Sequence, residues 1–144
     1  MNLIPGLQAT ASALDAERTR MNVVAENIAN AFTTRDANGD PYKRKIVSFE
    51  SVLANQGDVQ SGRSAPLYKV QISGVTQDDT PGKIVYNPQH PDADEKGMVH
   101  MPNVESSREM VDLIISSRAY EANLQVARTS RQMAKQALTI GNKS

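Results

Sequence analysis

SSREMVDLIISSRAYEANLQVARTSRQMAKQALTI, residues 106–140, holds neither Gly nor Pro and decides the fold. Ser106 followed by Glu109 has the spacing of a capping box, so the segment predicts a helix that starts there. Glu105, Glu109 and Asp112 stand near its beginning, and Arg128, Arg131 and Lys135 toward its far end. That order suits the helix dipole. Gly141-Asn142 is a fitting stop. One stripe at helical spacing runs Ile115, Ala119, Ala122, Val126, Thr129, Met133, Gln136, Ile140, a sustained heptad of apolar and small polar residues. A second runs Leu113, Tyr120, Leu124, Ala127, Ala134, Leu138. The helix therefore has two faces to bury.

The other end of the chain repeats the pattern. Residues 7–31 contain no Gly or Pro and much Ala, which favours a helix beginning near Pro5-Gly6. Leu7, Ala11, Leu14, Met21, Ala25 and Ile28 form one stripe, and Ala9, Ala13, Ala16 and Val23 another on nearly the opposite side. A polar line of Gln8, Ser12, Asp15, Thr19, Asn22 and Glu26 lies between them.

The middle is different. Every proline except Pro5 falls between Thr33 and Asn103. Short alternating runs at Ile46–Phe49, Tyr68–Ile72, Ile84–Tyr86 and Met98–Met101 predict strands. Residues 77–82, Gln-Asp-Asp-Thr-Pro-Gly, predict a turn joining two of them, and 55–66, polar and rich in Gly and Ser, a mobile loop. The expected fold class is α+β. Residues 1–32 and 103–144 form a discontinuous helical, coiled-coil-like assembly domain, and 33–102 a small segment rich in β-hairpins.

A helix over 106–140 is about 52 Å long. A compact chain of 144 residues is only about 40 Å across. One antiparallel helix pair buries one face of each partner, so the second stripes call for helices of other subunits. Leu, Ile, Val and Phe together are about 21% of the chain, close to the ~20% below which chains tend to disorder. A small core that needs neighbours follows.

Composition also limits the chemistry. Sixteen Lys and Arg balance sixteen Asp and Glu, which argues against nucleic acid or an anionic membrane as partner. There is no cysteine for disulfides, zinc knuckles or thiol catalysis. No window is long and apolar enough to span a membrane. The first basic residue is Arg18, so no secretory signal is expected, and the protein is cytosolic or exported without a cleaved leader. Residues 90–97, His-Pro-Asp-Ala-Asp-Glu-Lys-Gly, imitate a calcium loop, but Lys96 and Asn103 stand where ligands belong. Asp36, Asn38 and Asp40 imitate it again, with Pro41 at the glycine position. Turn chemistry is the expected role of both. His90 and His100 have no catalytic context. Tyr42-Lys43-Arg44-Lys45 is a basic run expected to be a solvated strand start. No catalytic, metal or cofactor residue is expected, nor a small-molecule substrate.

Several stretches carry a family likeness. They are Glu26-Asn27-Ile28-Ala29-Asn30-Ala31, Thr33-Thr34-Arg35, and Gly39-Asp40-Pro41-Tyr42-Lys43-Arg44-Lys45. They continue in residues 86–94, in Pro102-Asn103-Val104, in Glu109-Met110-Val111-Asp112-Leu113-Ile114, and in Ser117-Arg118-Ala119-Tyr120-Glu121-Ala122-Asn123. In this order, over nearly the whole chain, the sequence resembles the rod proteins of the bacterial flagellar basal body, above all the proximal rod members. The resemblance implies a non-enzymatic subunit of a periplasm-spanning drive shaft. It would be exported by the flagellar type III apparatus without signal cleavage, and would polymerise helically with copies of itself and other rod proteins. It implies that the terminal helices form an inner coiled-coil layer and the middle segment outer contacts.

On this reading the interface residues are Leu7, Leu14, Met21 and Ile28 on the first helix. On the last they are Leu113, Ile115, Tyr120, Ala122, Leu124, Val126, Met133, Leu138 and Ile140. Asn27 and Asn30 are expected to bond backbone groups where the first helix ends. The alternative is a soluble coiled-coil adaptor or export chaperone. Such a protein buries one stripe in a dimer and carries stronger Leu/Ile at its seam.

Overall fold

The computed structural model describes residues 4–53 and 68–141. Six elements follow one another: α1 (Ile4–Ala29), β1 (Lys45–Leu53), β2 (Tyr68–Gln77), β3 (Ile84–Tyr86), β4 (Met98–His100) and α2 (Ser106–Gly141). The class is α+β. The expected loop over 55–66 lies outside the described residues, as does Asn142. Among the described residues no helix is long and apolar enough to cross a membrane.

α1 begins at Ile4, which puts Pro5 in its first turn, where a missing N–H costs nothing. Threonines inside the helices spend their hydroxyls locally: Thr10 Oγ1 donates to Gly6 O at 2.9 Å and Thr139 Oγ1 to Lys135 O at 2.9 Å. The strands form two separate two-stranded sheets, β1 with β2 and β3 with β4. β3 and β4 run antiparallel, with Ile84 opposite His100, Val85 opposite Val99 and Tyr86 opposite Met98. The 77–82 turn joins β2 to β3 and so links two sheets rather than closing a hairpin.

The chain divides into two compact units that cut across its elements. One is drawn from Met1–Thr19, Phe49–Ser73 and Ser116–Ser144, the other from Arg20–Ser48 and Gly74–Ile115. In the first, Ala16 and Ser116 are buried. The half-buried residues of α2 there are Ser117, Ala119, Tyr120, Asn123, Leu124, Ala127, Ser130 and Ala134. Their spacing of three and four marks one helical face, built from small and polar residues. Val70 N donates to Ser12 Oγ at 3.2 Å, tying β2 to α1 within this unit.

In the second unit Val24, Asn27, Ala31, Tyr42, Val99 and Glu109 are buried. Glycine is required at two points of the 82–101 region. Gly97 has φ +76, which disfavours a side chain. A Cβ on Gly82 would sit 1.8 Å from Met101 O.

Candidate functional site

The most buried side chains of the second unit are polar. Asn27 and Glu109 are 0% exposed, although burying a carboxylate is costly unless it is paired and hydrogen-bonded. Both oxygens of Glu109 have a partner. Asn27 Nδ2 donates to Glu109 Oε2 at 3.0 Å and to Lys45 O at 2.9 Å. Asn27 Oδ1 accepts from Lys45 N at 2.9 Å and from the Tyr42 hydroxyl at 2.9 Å. Arg44 Nε donates to Glu109 Oε1 at 2.6 Å. The amide of Asn27 thus makes four bonds, the most that its donors and acceptor lone pairs allow.

Around this centre the connections continue. Arg44 Nη2 lies 3.6 Å from Asp112 Oδ2, and Arg20 Nη2 lies 3.7 Å from Asp112 Oδ1. Arg44 N donates to Asn103 Oδ1 at 2.7 Å, Asn103 Nδ2 to Asp78 O at 2.9 Å, and Asp78 N to Arg44 O at 2.8 Å. Lys45 Nζ pairs with Glu26. Asn30 Nδ2 donates to Glu26 O at 2.9 Å, and Thr33 Oγ1 to Asn30 Oδ1 at 3.1 Å, closing the end of α1. The result is a clasp holding the end of α1, the 42–45 segment and the start of α2.

Two sequence expectations are corrected here. Glu109 does not reach back to close a capping box, because its carboxylate is spent on Asn27 and Arg44. The 42–45 run is not simply a solvated strand start. Only Lys43 points outward, to Asp79 at 2.7 Å, while Tyr42, Arg44 and Lys45 enter the clasp.

The imitation calcium loops are used as turns. Asp36 Oδ1 accepts from Asn38 N at 2.7 Å and from Asp40 N at 3.3 Å, and Asp94 Oδ1 from Lys96 N and Met98 N at 2.8 Å each. Asp92 accepts from Thr34 Oγ1 at 2.7 Å, and Arg35 stands 3.7 Å away. A groove of about 500 Å³ beside the clasp is lined by Phe32, Lys83, Val85, Met101, Val104 and Arg108, among others.

The Tyr42 hydroxyl is pushed up to about 12 from its ordinary 10.0, first by burial and then by the negative charges of Glu26 and Glu109. A raised pKa favours the neutral form of a phenol. The stability this tyrosine contributes is therefore complete below pH 10 and lost as pH rises through about 12. In an absorbance titration of the four tyrosines, one should ionise about two pH units late, and Tyr42→Phe should remove that component. A normal titration of all four would refute the burial of this group.

The apolar residues picked from the sequence fall into two sets. Leu7, Leu14, Met21, Ile28, Leu113, Tyr120 and Leu124 are half-buried, as are Ala119 and Asn123. Ile115, Ala122, Val126, Met133, Leu138 and Ile140 are exposed, together with Ala29, Arg118 and Glu121. Met110, Val111 and Ile114 are bare as well. Ile115, Ala122, Val126 and Met133 thus lie at helical spacing on one exposed face of α2.

Two family models match. The model described as Flagella basal body rod protein covers residues 7–35, and that described as Flagellar basal body rod FlgEFG protein C-terminal covers 95–140. Asn27 lies in the first and Glu109 in the second, so the clasp joins the two matched regions. Over 98% of its length the chain is 42% identical to the flagellar basal-body rod protein FlgC of Bacillus subtilis, covering 99% of that protein. It is 37% identical to FlgC of Borreliella burgdorferi over 97% of the chain and 98% of the relative. For FlgC of Escherichia coli O6:H1 the figures are 41%, 90% and 91%. With this identity over nearly the full length of both chains, the protein belongs to the FlgC family of flagellar basal-body rod proteins.

Proposed function

We propose that this chain is a structural subunit of the proximal rod, and that it polymerises with copies of itself and other axial proteins into the periplasm-spanning shaft. The exposed face of α2 that holds Ile115, Ala122, Val126 and Met133 carries this reading. An exposed apolar patch on a monomer marks a surface meant for a partner. The stripe mixes Ile and Val with Ala and Met, and small residues such as Ala122 allow close helix approach. An adaptor dimer would instead concentrate Leu and Ile on one seam. The family likeness supports export through the flagellar type III apparatus with no leader removed.

Val126, 52% exposed, lies in the middle of the stripe. Val126→Glu should give a protein that is made and soluble yet missing from purified basal bodies, with motility lost. A carboxylate forced into a closed helix interface costs several kcal/mol, about as much as a hot-spot contact supplies. Gln125→Glu, one position round the helix, serves as control and should be incorporated. Normal incorporation of Val126→Glu would mean that this stripe faces water in the rod.

A further inference from the structure

β3 carries three apolar side chains and all are exposed: Ile84 by 55%, Val85 by 46% and Tyr86 by 69%. Its bonds to β4 determine where its backbone points. Met101 N donates to Lys83 O at 2.8 Å and Asn87 N to Gly97 O at 2.8 Å. Antiparallel pairs alternate, so Lys83, Val85 and Asn87 turn their backbone groups toward β4. Ile84 and Tyr86 turn theirs away, onto a free edge. β4 has the same outward positions on its far side, but there Met98 is taken. Met98 N donates to Asp94 Oδ1 at 2.8 Å, and Asp94 N donates to Met98 O at 2.9 Å. The β3 edge is the more open of the two.

We propose that this free edge pairs antiparallel with the same edge of a second copy, about a two-fold axis at Val85, giving a four-stranded sheet β4–β3–β3–β4. The edge is complementary to itself. The two outward residues lie two apart, so Ile84 meets the partner's Tyr86 and Tyr86 meets the partner's Ile84. Both encounters form hydrogen-bonded pairs. Each also sets a β-branched side chain beside an aromatic ring, a favourable cross-strand pair. Lys83 faces the partner's Asn87, so no like charges oppose each other. β3 is short, but its three residues include no Pro and no charged side chain. A two-fold contact closes on itself and does not propagate along an open polymer. The pairing therefore belongs to the free protein, where it covers an edge that would otherwise recruit strands indiscriminately. It goes beyond the rod reading and does not depend on it.

The absence of native cysteine makes the test direct. Val85 sits in a pair without hydrogen bonds, where Cα atoms lie about 4.5 Å apart, within the range a disulfide spans. In a glutathione redox buffer, Val85→Cys should form a covalent dimer at least about tenfold faster than Asn38→Cys, an exposed position outside both proposed interfaces. Adding Ile84→Lys and Tyr86→Lys sets lysines opposite each other, and should reduce the rate to that of the Asn38→Cys control. Adding Ile84→Lys with Tyr86→Glu sets opposite charges face to face and should restore it. These positions are exposed, so folding is preserved, and circular dichroism verifies it. Equal rates for Val85→Cys and Asn38→Cys would overturn the proposal. So would indifference to the charge pattern at positions 84 and 86. Incorporation of Val126→Glu into rods is read separately, so failure of the rod reading leaves this result intact.

Discussion

Glu109→Ala should cost about 3–5 kcal/mol of stability, the usual loss when one partner of a buried ion pair is removed. Arg44, 20% exposed at its side chain, would keep its charge and lose its 2.6 Å partner. Asn27 Nδ2 would lose one of its two acceptors. Denaturant unfolding followed by circular dichroism reads the total. Amide exchange at Lys45, whose N–H is bonded to Asn27 Oδ1, reads the site itself. Because the cost arises from a charge that loses its nearest partner and keeps only Asp112 at 3.6 Å, Arg44→Met with Glu109→Met should lose much less than the two single methionine variants summed. Strict additivity, or a Glu109→Ala loss below about 1 kcal/mol, would show that the clasp contributes little.

Gly82→Ala should be comparably damaging for an unrelated reason. The added Cβ would lie 1.8 Å from Met101 O and 2.9 Å from Met101 C and Pro102 C. All three are backbone atoms, so no side chain can swing aside. The bond from Met101 N to Lys83 O joins the same two strands one residue on, and separating them breaks it. A loss of about 3 kcal/mol, hence a melting point lower by about 10 °C, is expected. Gly74→Ala is the control, because nothing lies within 4 Å of a Cβ there. Equal melting of both variants with the parent would mean that the chain relaxes at Gly82 without strain.

Much of the architecture is legible in the sequence because its signals are local. The helices follow from long runs free of interior Gly and Pro, and β3 from a single apolar triplet. β1 and β2 extend several residues past the alternation that announces them. Glu50–Val52 and Val75–Gln77 lack a consistently buried face, so no period of two marks them. The clasp is hidden for the opposite reason. Asn27 and Glu109 are 82 residues apart, and nothing near either one names the other. Glu109 stands three residues after Ser106, which is enough to suggest a capping role. The local signal is genuine as a spacing, but a long-range charge partner takes the carboxylate. Likewise Tyr42, Arg44 and Lys45 look solvated beside so many acids, until Asn27 brings backbone and side chains of that run onto α1. The resemblance motifs at Asn27 and Tyr42 flagged positions whose partners only the fold reveals.

The polar character of the clasp also has a mechanical meaning. Oily contacts are non-directional, so two apolar surfaces can slide a little with small loss. Hydrogen bonds weaken steeply with angle and distance. A joint made from Asn27, Glu109, Arg44 and the 42–45 backbone therefore behaves as a rivet and not as a bearing. It resists shear and twist between the end of α1 and the start of α2, and when overloaded it gives way abruptly instead of creeping. Stiffness concentrated at such a point keeps strain out of the softer helical faces.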